Sequence, residues 1–206
     1  MPVRAGSAVL EGQLTVPAAA RGMVLLTGDG AWQGIAIALH RAGLGTLAMD
    51  LWDSTEPAAY RNVFDIVLLA HRLGAACDWL HKYTALPVGC AATGTRAAAA
   101  LEAAADHSTL RAVVSLSGRP GLARPSALVR VSVPVLLITG DLDTALIGRT
   151  RLAADWLRCP YRVAEMPGVA DPAAGDALHH VPRLMTDWFT EHMAAPTEAF
   201  GVPARP

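Results

Sequence analysis

The segment Leu86-Pro-Val-Gly-Cys-Ala-Ala-Thr-Gly-Thr-Arg-Ala-Ala-Ala-Ala-Leu101 sets an apolar run, Val88 to Ala92, before a turn of small residues and an alanine-rich helical stretch. A helix that starts straight after such a turn points its N-terminal N–H groups at whatever lies beside the turn. This is a setting for chemistry on a small molecule. The tip is Gly94, which brings no functional group but takes a strained backbone at little cost. Thr93 and Thr95 flank it; such hydroxyls either cap the helix or act as nucleophiles when a base is near. Cys90 falls inside the strand and reads as a core thiol. Arg96 stands at the helix N-terminus, where the macrodipole disfavours a cation. Either a carboxylate neutralises it as a salt-bridge plug, or it holds a ligand carboxylate or phosphate together with the helix N-terminus.

The elements that position these residues alternate. Val9-Leu10 and Leu14-Thr15-Val16 around Gly12 suit an N-terminal hairpin. Strand-like runs follow at Met23–Thr27, Thr46–Asp50, Val88–Ala92, Ala112–Leu116, Val135–Thr139 and Tyr161–Met166. Between them lie helical patterns at Gln33–Ala42, Asn62–Lys82, Thr95–Ala105, Ala145–Leu157 and Leu178–Met193. Apolar strands without polar alternation are buried on both faces, which means a doubly wound, mostly parallel sheet with helices on each side. The expected organisation is one α/β domain over 1–194 and a Pro/Ala-rich tail over 195–206. The stretch from Ser117 to Val133 is too short for a lid domain. Trp32 and Trp52 fall after strands, at the carboxyl edge where open α/β folds bind ligands; they either stack a ligand or fill the pocket. Trp79, Trp156 and Trp188 read as core. Asp176, His179 and His180 have helical spacing, but adjacent histidines point to different faces, so they read as solvated surface.

Composition narrows the function. The 17 basic and 18 acidic side chains nearly cancel, which gives no attraction to nucleic acid or to an anionic membrane. Charged residues are 17% and hydrophobic residues 52% of the chain, a balance that predicts a homo-oligomer or a protein partner held through an apolar face. The outer faces of the Leu178–Met193 helix and of the Tyr161–Met166 edge strand are the candidate surfaces. Cys77, Cys90 and Cys159 lie outside any C-x-x-C and read as reduced thiols. With no apolar signal core at the start and no long apolar run, a cytoplasmic location is expected.

The order of these motifs resembles the α/β-hydrolase superfamily, in particular its small, lidless dienelactone-hydrolase-like branch. The similarity runs ungapped over Leu86–Leu101, where a bacterial subgroup reads L-P-I-G-x-F-G-A-S-T-G-A-A-A-A-L. It continues through Phe64–Ala76, Val113–Pro120 and Val135–Asp143 and ends near Asp187-Trp-Phe189. The resemblance implies a G-x-S-x-G elbow at Ala92-Thr93-Gly94-Thr95-Arg96, so the nucleophile position holds Gly94. It places the catalytic acid at Asp143, in Gly140-Asp-Leu-Asp143, and puts Asp171, after Pro167-Gly-Val-Ala, where the family has histidine. The oxyanion loop becomes Thr27-Gly-Asp-Gly30, with the Thr95 N–H as the second donor position.

A triad works as a unit, and an Asp29 carboxylate would repel a developing oxyanion. Three readings follow. The first is a catalytically degenerate protein serving as a binding or structural subunit, with no catalytic residue and no cofactor. The second is a hydrolase of a small ester, lactone or carbonyl compound using non-standard residues. The third is a metal-dependent variant, in which Asp29, Asp143 and Asp171 converge on a divalent cation. In any of them Trp32, Trp52, Arg96 and Thr95 are the candidate contacts to a small-molecule ligand, unless Arg96 plugs the site by pairing with Asp29 or Asp171.

Overall fold

The computed structural model describes residues 1–30, 32–53, 56, 62–174 and 180–193. Eight strands form one sheet: β1 (Pro2–Ala5), β2 (Ala8–Thr15), β3 (Gly22–Thr27), β4 (Leu44–Asp53), β5 (Val88–Gly94), β6 (Leu110–Gly118), β7 (Val135–Gly140) and β8 (Tyr161–Met166). Their spatial order is β1-β2-β4-β3-β5-β6-β7-β8. The first two join antiparallel and every later pairing is parallel. The helices are α1 (Trp32–Arg41), α2 (Ile66–Thr84), α3 (Arg96–Asp106), α4 (Pro125–Arg130), α5 (Thr144–Ala154) and α6 (Val181–His192), with a 3₁₀ turn at Pro120–Leu122.

Every residue of β3 and of β7 is buried, as two-sided coverage of a parallel sheet requires. Because successive strand residues point to opposite faces, Val24 and Leu26 meet Ile35 and Leu39 of α1 and Val181, Met185 and Phe189 of α6. Met23 and Leu25 face the other way, into the layer built by α2, α3 and the end of α5. Arg96 to Ala104 of α3 are all buried, since the alanines let that helix lie close to the strands and to α2. Asp65 caps α2 by accepting from the Leu68 N–H at 3.0 Å.

Several expectations need revision. The N-terminal hairpin is β1–β2, turning at Gly6-Ser7 with Gly6 at φ +65°, not around Gly12. Gly12 lies at a register shift within β2, where a Cβ would come within 2.9 Å of Leu47 Cδ1. The glycine answers a close approach to β4, not a turn. β4 runs on through Trp52 because Leu10 pairs opposite Asp53. Trp156 is 47% exposed rather than core, because α5 ends at Ala154 before the residue can turn inward. β8 is indeed the edge strand. The α6 surface offered for association is instead charged, with an Arg183–Asp187 ion pair, because its apolar residues face the sheet. Asp176, Leu178, His179 and the 195–206 tail lie outside the described residues, and His180 precedes α6. Cys77 and Cys90 are buried free thiols and Cys159 is half-buried; burial pushes all three upward in pKa. No helix among the described residues is long and apolar enough to cross a membrane.

One buried charge ties the α3 layer together. Glu102 is 2% exposed, and its carboxylate accepts from the Arg124 backbone N–H at 2.8 Å and from the guanidinium at 2.6–3.0 Å. Burial opposes ionisation of Glu102, but the Arg124 hydrogen bonds outweigh it and hold the carboxyl below its ordinary range. A depressed folded pKa contributes stability above the unfolded value and loses it as pH falls through the folded one. We therefore expect Glu102→Gln to cost about 1–3 kcal/mol at neutral pH and to flatten the acid limb of the stability profile. Arg124→Met should cost more than Glu102→Gln, since it strands a buried carboxylate, and its stability should rise on mild acidification. Urea melts between pH 3 and 7 separate these outcomes.

Candidate active site at the β5–α3 turn

Gly94 closes β5 at φ +56°, in the left-handed region that side chains disfavour. A Cβ built there meets no atom within 4 Å, so the space above the turn is open to a side chain that the chain does not supply. The ladder to β6 slips at this point, with Thr93 opposite Leu116 and Gly94 opposite Gly118. Ser117, between them, also has positive φ at 47°, and its Oγ accepts from the Ala173 N–H at 3.2 Å. The strain therefore falls on both strands at the same edge.

Thr95 is 7% exposed and stands at the N-cap of α3 in helical conformation, with no side-chain capping bond. Thr93 is equally enclosed, packed under the β3–α1 loop. A Cβ on Gly28 (φ +103°) would collide with Thr93 Oγ1 and come within 3.2 Å of Arg96 Cδ. That loop can approach the turn only because residue 28 is glycine. Trp32, half-buried at the start of α1, donates Nε1–H to the Gly28 carbonyl at 3.0 Å. Its ring lies so near Gly30 that a Cβ there would sit 2.8 Å from Cε2. Trp32 thus braces the loop.

Arg96 is the centre of charge. Its side chain is 7% exposed and reaches back over the sheet edge. Nε and Nη2 donate to Asp50 at 2.9–3.1 Å, and Nη1 donates to Asp29 at 3.3 Å. Its guanidinium carbon lies 5.8 Å from the centre of the Trp52 ring, within cation–π range. Trp52 is 8% exposed inside β4, not in a loop, so its ring supports Arg96. The plug is therefore formed with Asp29 and Asp50, and Asp171 is not a partner. Asp50 belongs to no motif in the sequence. Its only signal is position: it lies near the end of the strand adjacent to β3, where carboxyl-edge residues gather.

The remaining candidates are held by main-chain N–H groups of their own segments. Asp143 is the N-cap of α5, accepting from the Leu146 N–H at 2.9 Å. Asp171 accepts from the Ala173 N–H at 2.9 Å within its own turn. Neither bonds to Asp29. Among the described residues no three histidine, cysteine or acidic side chains gather as a metal site. The expected convergence of Asp29, Asp143 and Asp171 is corrected on this point, because each carboxylate has a nearer partner.

The eight-stranded, mostly parallel sheet with its strand–turn–helix at the carboxyl edge is the α/β-hydrolase fold. The chain belongs to the dienelactone hydrolase family: it is 36% identical to a dienelactone hydrolase from Anabaena variabilis, covering 94% of this chain and 96% of that one at a TM-score of 0.87. A dienelactone hydrolase-like promiscuous phosphotriesterase from metagenomic libraries (18% identity, 93% and 96% covered, TM-score 0.73) shares the fold. So does Est1E from Butyrivibrio proteoclasticus (14%, 95% and 99%, 0.76). Proteins from two strains of Mycobacterium tuberculosis, each named "Putative phosphoribosyl transferase", are 37% identical over 94% of the chain. The chain spans 46% of their length. No family model matches the chain.

The burial of Arg96 sets an asymmetry that can be measured. Asp50→Asn leaves an enclosed guanidinium short of a counter-charge and should cost about 1–3 kcal/mol, less than a fully buried pair because Asp50 itself is half-exposed. Arg96→Met fills similar volume and frees two carboxylates that water already reaches, so it should cost less than Asp50→Asn. Chemical denaturation of both variants checks the order; the reverse order would mean that Asp50 contributes little.

Proposed function

We propose that this chain is a non-catalytic α/β-hydrolase-fold protein that acts as a binding or structural subunit. The observation that carries the proposal is Gly94. The strained turn and the open space above it are kept, while the residue that would project into that space has no side chain. A second observation agrees. Arg96 and Asp29 neutralise one another beside the turn, so the loop that would line an oxyanion hole carries a carboxylate in an ion pair. The two carboxylates at the remaining triad positions are engaged by main-chain N–H groups. A carboxylate in either place lacks the neutral nitrogen base that activates a hydroxyl.

A fluorophosphonate probe should leave the protein unlabelled, and short-chain nitrophenyl esters should turn over at the background rate. Stoichiometric labelling at Thr93, Thr95 or Ser117 would replace this reading with a hydrolase built on relocated residues. Gly94→Ser has open space for its side chain, at the cost of backbone strain at φ +56°, and should still give no esterase activity, because the new hydroxyl stays protonated near neutral pH. Turnover in that single variant, measured with nitrophenyl acetate, would reveal a base at the turn.

As a subunit, the protein needs a surface for association. The exposed apolar side chains Val63, Phe64 and Val67 at the start of α2 offer one. Light scattering across a dilution series should show a species heavier than the monomer, with a stable interface of at least about 1,000 Å². A monomer at every concentration would leave small-ligand binding as the form of the proposal.

A further inference from the structure

On the α4–α5 side, away from the Arg96 cluster, an open cavity of about 290 Å³ lies between the 3₁₀ turn with α4 and the outer face of α5. Leu128 forms its buried floor, and Leu122, Leu152 and Trp156 form its walls, 40%, 67% and 47% exposed. Arg119 and Arg149 stand among these apolar groups, and no carboxylate lines the cavity. On the neighbouring helices and the segment leading into α4, Arg124 pairs with Glu102, Arg130 with Asp106 and Arg151 with Glu165. Among the described residues the Arg119 and Arg149 side chains have no hydrogen bond or ion pair.

We infer that this cavity binds an amphipathic monocarboxylate, with its apolar body against Leu128 and Trp156 and its carboxylate between Arg119 and Arg149. Charge complementarity chooses the head group. Two guanidiniums beside an apolar wall, with no acid in the lining, favour an anion over a neutral or cationic group, and guanidinium matches the planar carboxylate. Size chooses the body. At about 30 Å³ for each water-sized group, the cavity takes about ten such groups, the scale of a medium-chain acid or a two-ring aromatic acid. The volume lies at the lower end of small-molecule sites, which run from about 300 Å³ upward. The Arg119 backbone N–H donates to the Gly94 carbonyl at 2.9 Å. The wall of the cavity is therefore one hydrogen bond from the turn, though none of the turn's side chains line it. The inference goes beyond the non-catalytic reading and does not depend on it, since it concerns binding and not turnover.

Decanoate and decanol, titrated into the full chain below their aggregation limits and read by calorimetry and by amide NMR shifts, test it. Decanoate should bind in one-to-one ratio, at least about tenfold tighter than decanol, with the largest shifts at residues 119–128 and 146–156. Arg119→Gln with Arg149→Gln should remove that preference while leaving decanol binding and the melting temperature unchanged. Leu152→Glu, an exposed substitution, should weaken both ligands. Equal affinity for acid and alcohol, shifts centred on the β5–α3 turn, or an unchanged preference in the double arginine variant would each overturn the assignment. A peptide rich in acidic and apolar residues that outcompetes decanoate would also overturn it, by making the cavity a protein-docking groove.

Discussion

α3 is a helix with no exposed face over most of its length, and it carries two buried charged residues. The alanines at positions 97 to 100 let it sink between the sheet and α2. That depth leaves Arg96 and Glu102 where neither can be solvated by water alone. A buried charge must be met by an opposite charge or by hydrogen bonds. Their partners therefore come from segments distant in sequence: Asp50 from β4 and Asp29 from the β3–α1 loop for Arg96, and Arg124, just before α4, for Glu102. These two pairings fix the two ends of the helix against the layers on either side of it.

The consequences spread from the N-terminal end. Arg96 lies against Gly28 and over Trp52, so the strand, the loop and the turn are joined by one cation. The macrodipole opposes a cation at a helix N-terminus, and two carboxylates together with an aromatic face offset that opposition. In a working hydrolase the same corner must stay free to stabilise developing negative charge. Here it is committed to an internal ion pair. That commitment, with a glycine at the tip, supports reading the turn as retained architecture: glycine satisfies the positive φ that any occupant of position 94 must adopt.

At the other end, Glu102 and Arg124 hold the short segment between β6 and β7 against α3. That segment replaces what would be a lid in larger folds of this class, and it forms one wall of the α4–α5 cavity. The arginines used in holding the layers together are neutralised. Arg119 and Arg149 play no such part and stand at the wall of that cavity instead.

Much of this was legible in the sequence. The β-α alternation, the two-sided burial of the central strands and the small-residue turn follow from hydrophobic pattern and residue size, which act locally. The family resemblance was carried by motifs such as Leu86–Leu101 and Val135–Asp143, and the parallel sheet that contains them bears it out. Tertiary contact decided the rest. Which carboxylate meets Arg96 depends on how β4 extends beside β3, and so Asp50 took the place imagined for Asp171. Whether Asp143 and Asp171 face a common point depends on the loops after β7 and β8, where main-chain N–H groups captured each carboxylate first. Gly12 reads as a turn glycine until the neighbouring strand is present to crowd it. Trp156 reads as core until the helix beneath it ends. A sequence pattern records which face of an element is apolar, whereas the partner of a charged side chain is set by distances between elements that only the assembled fold defines.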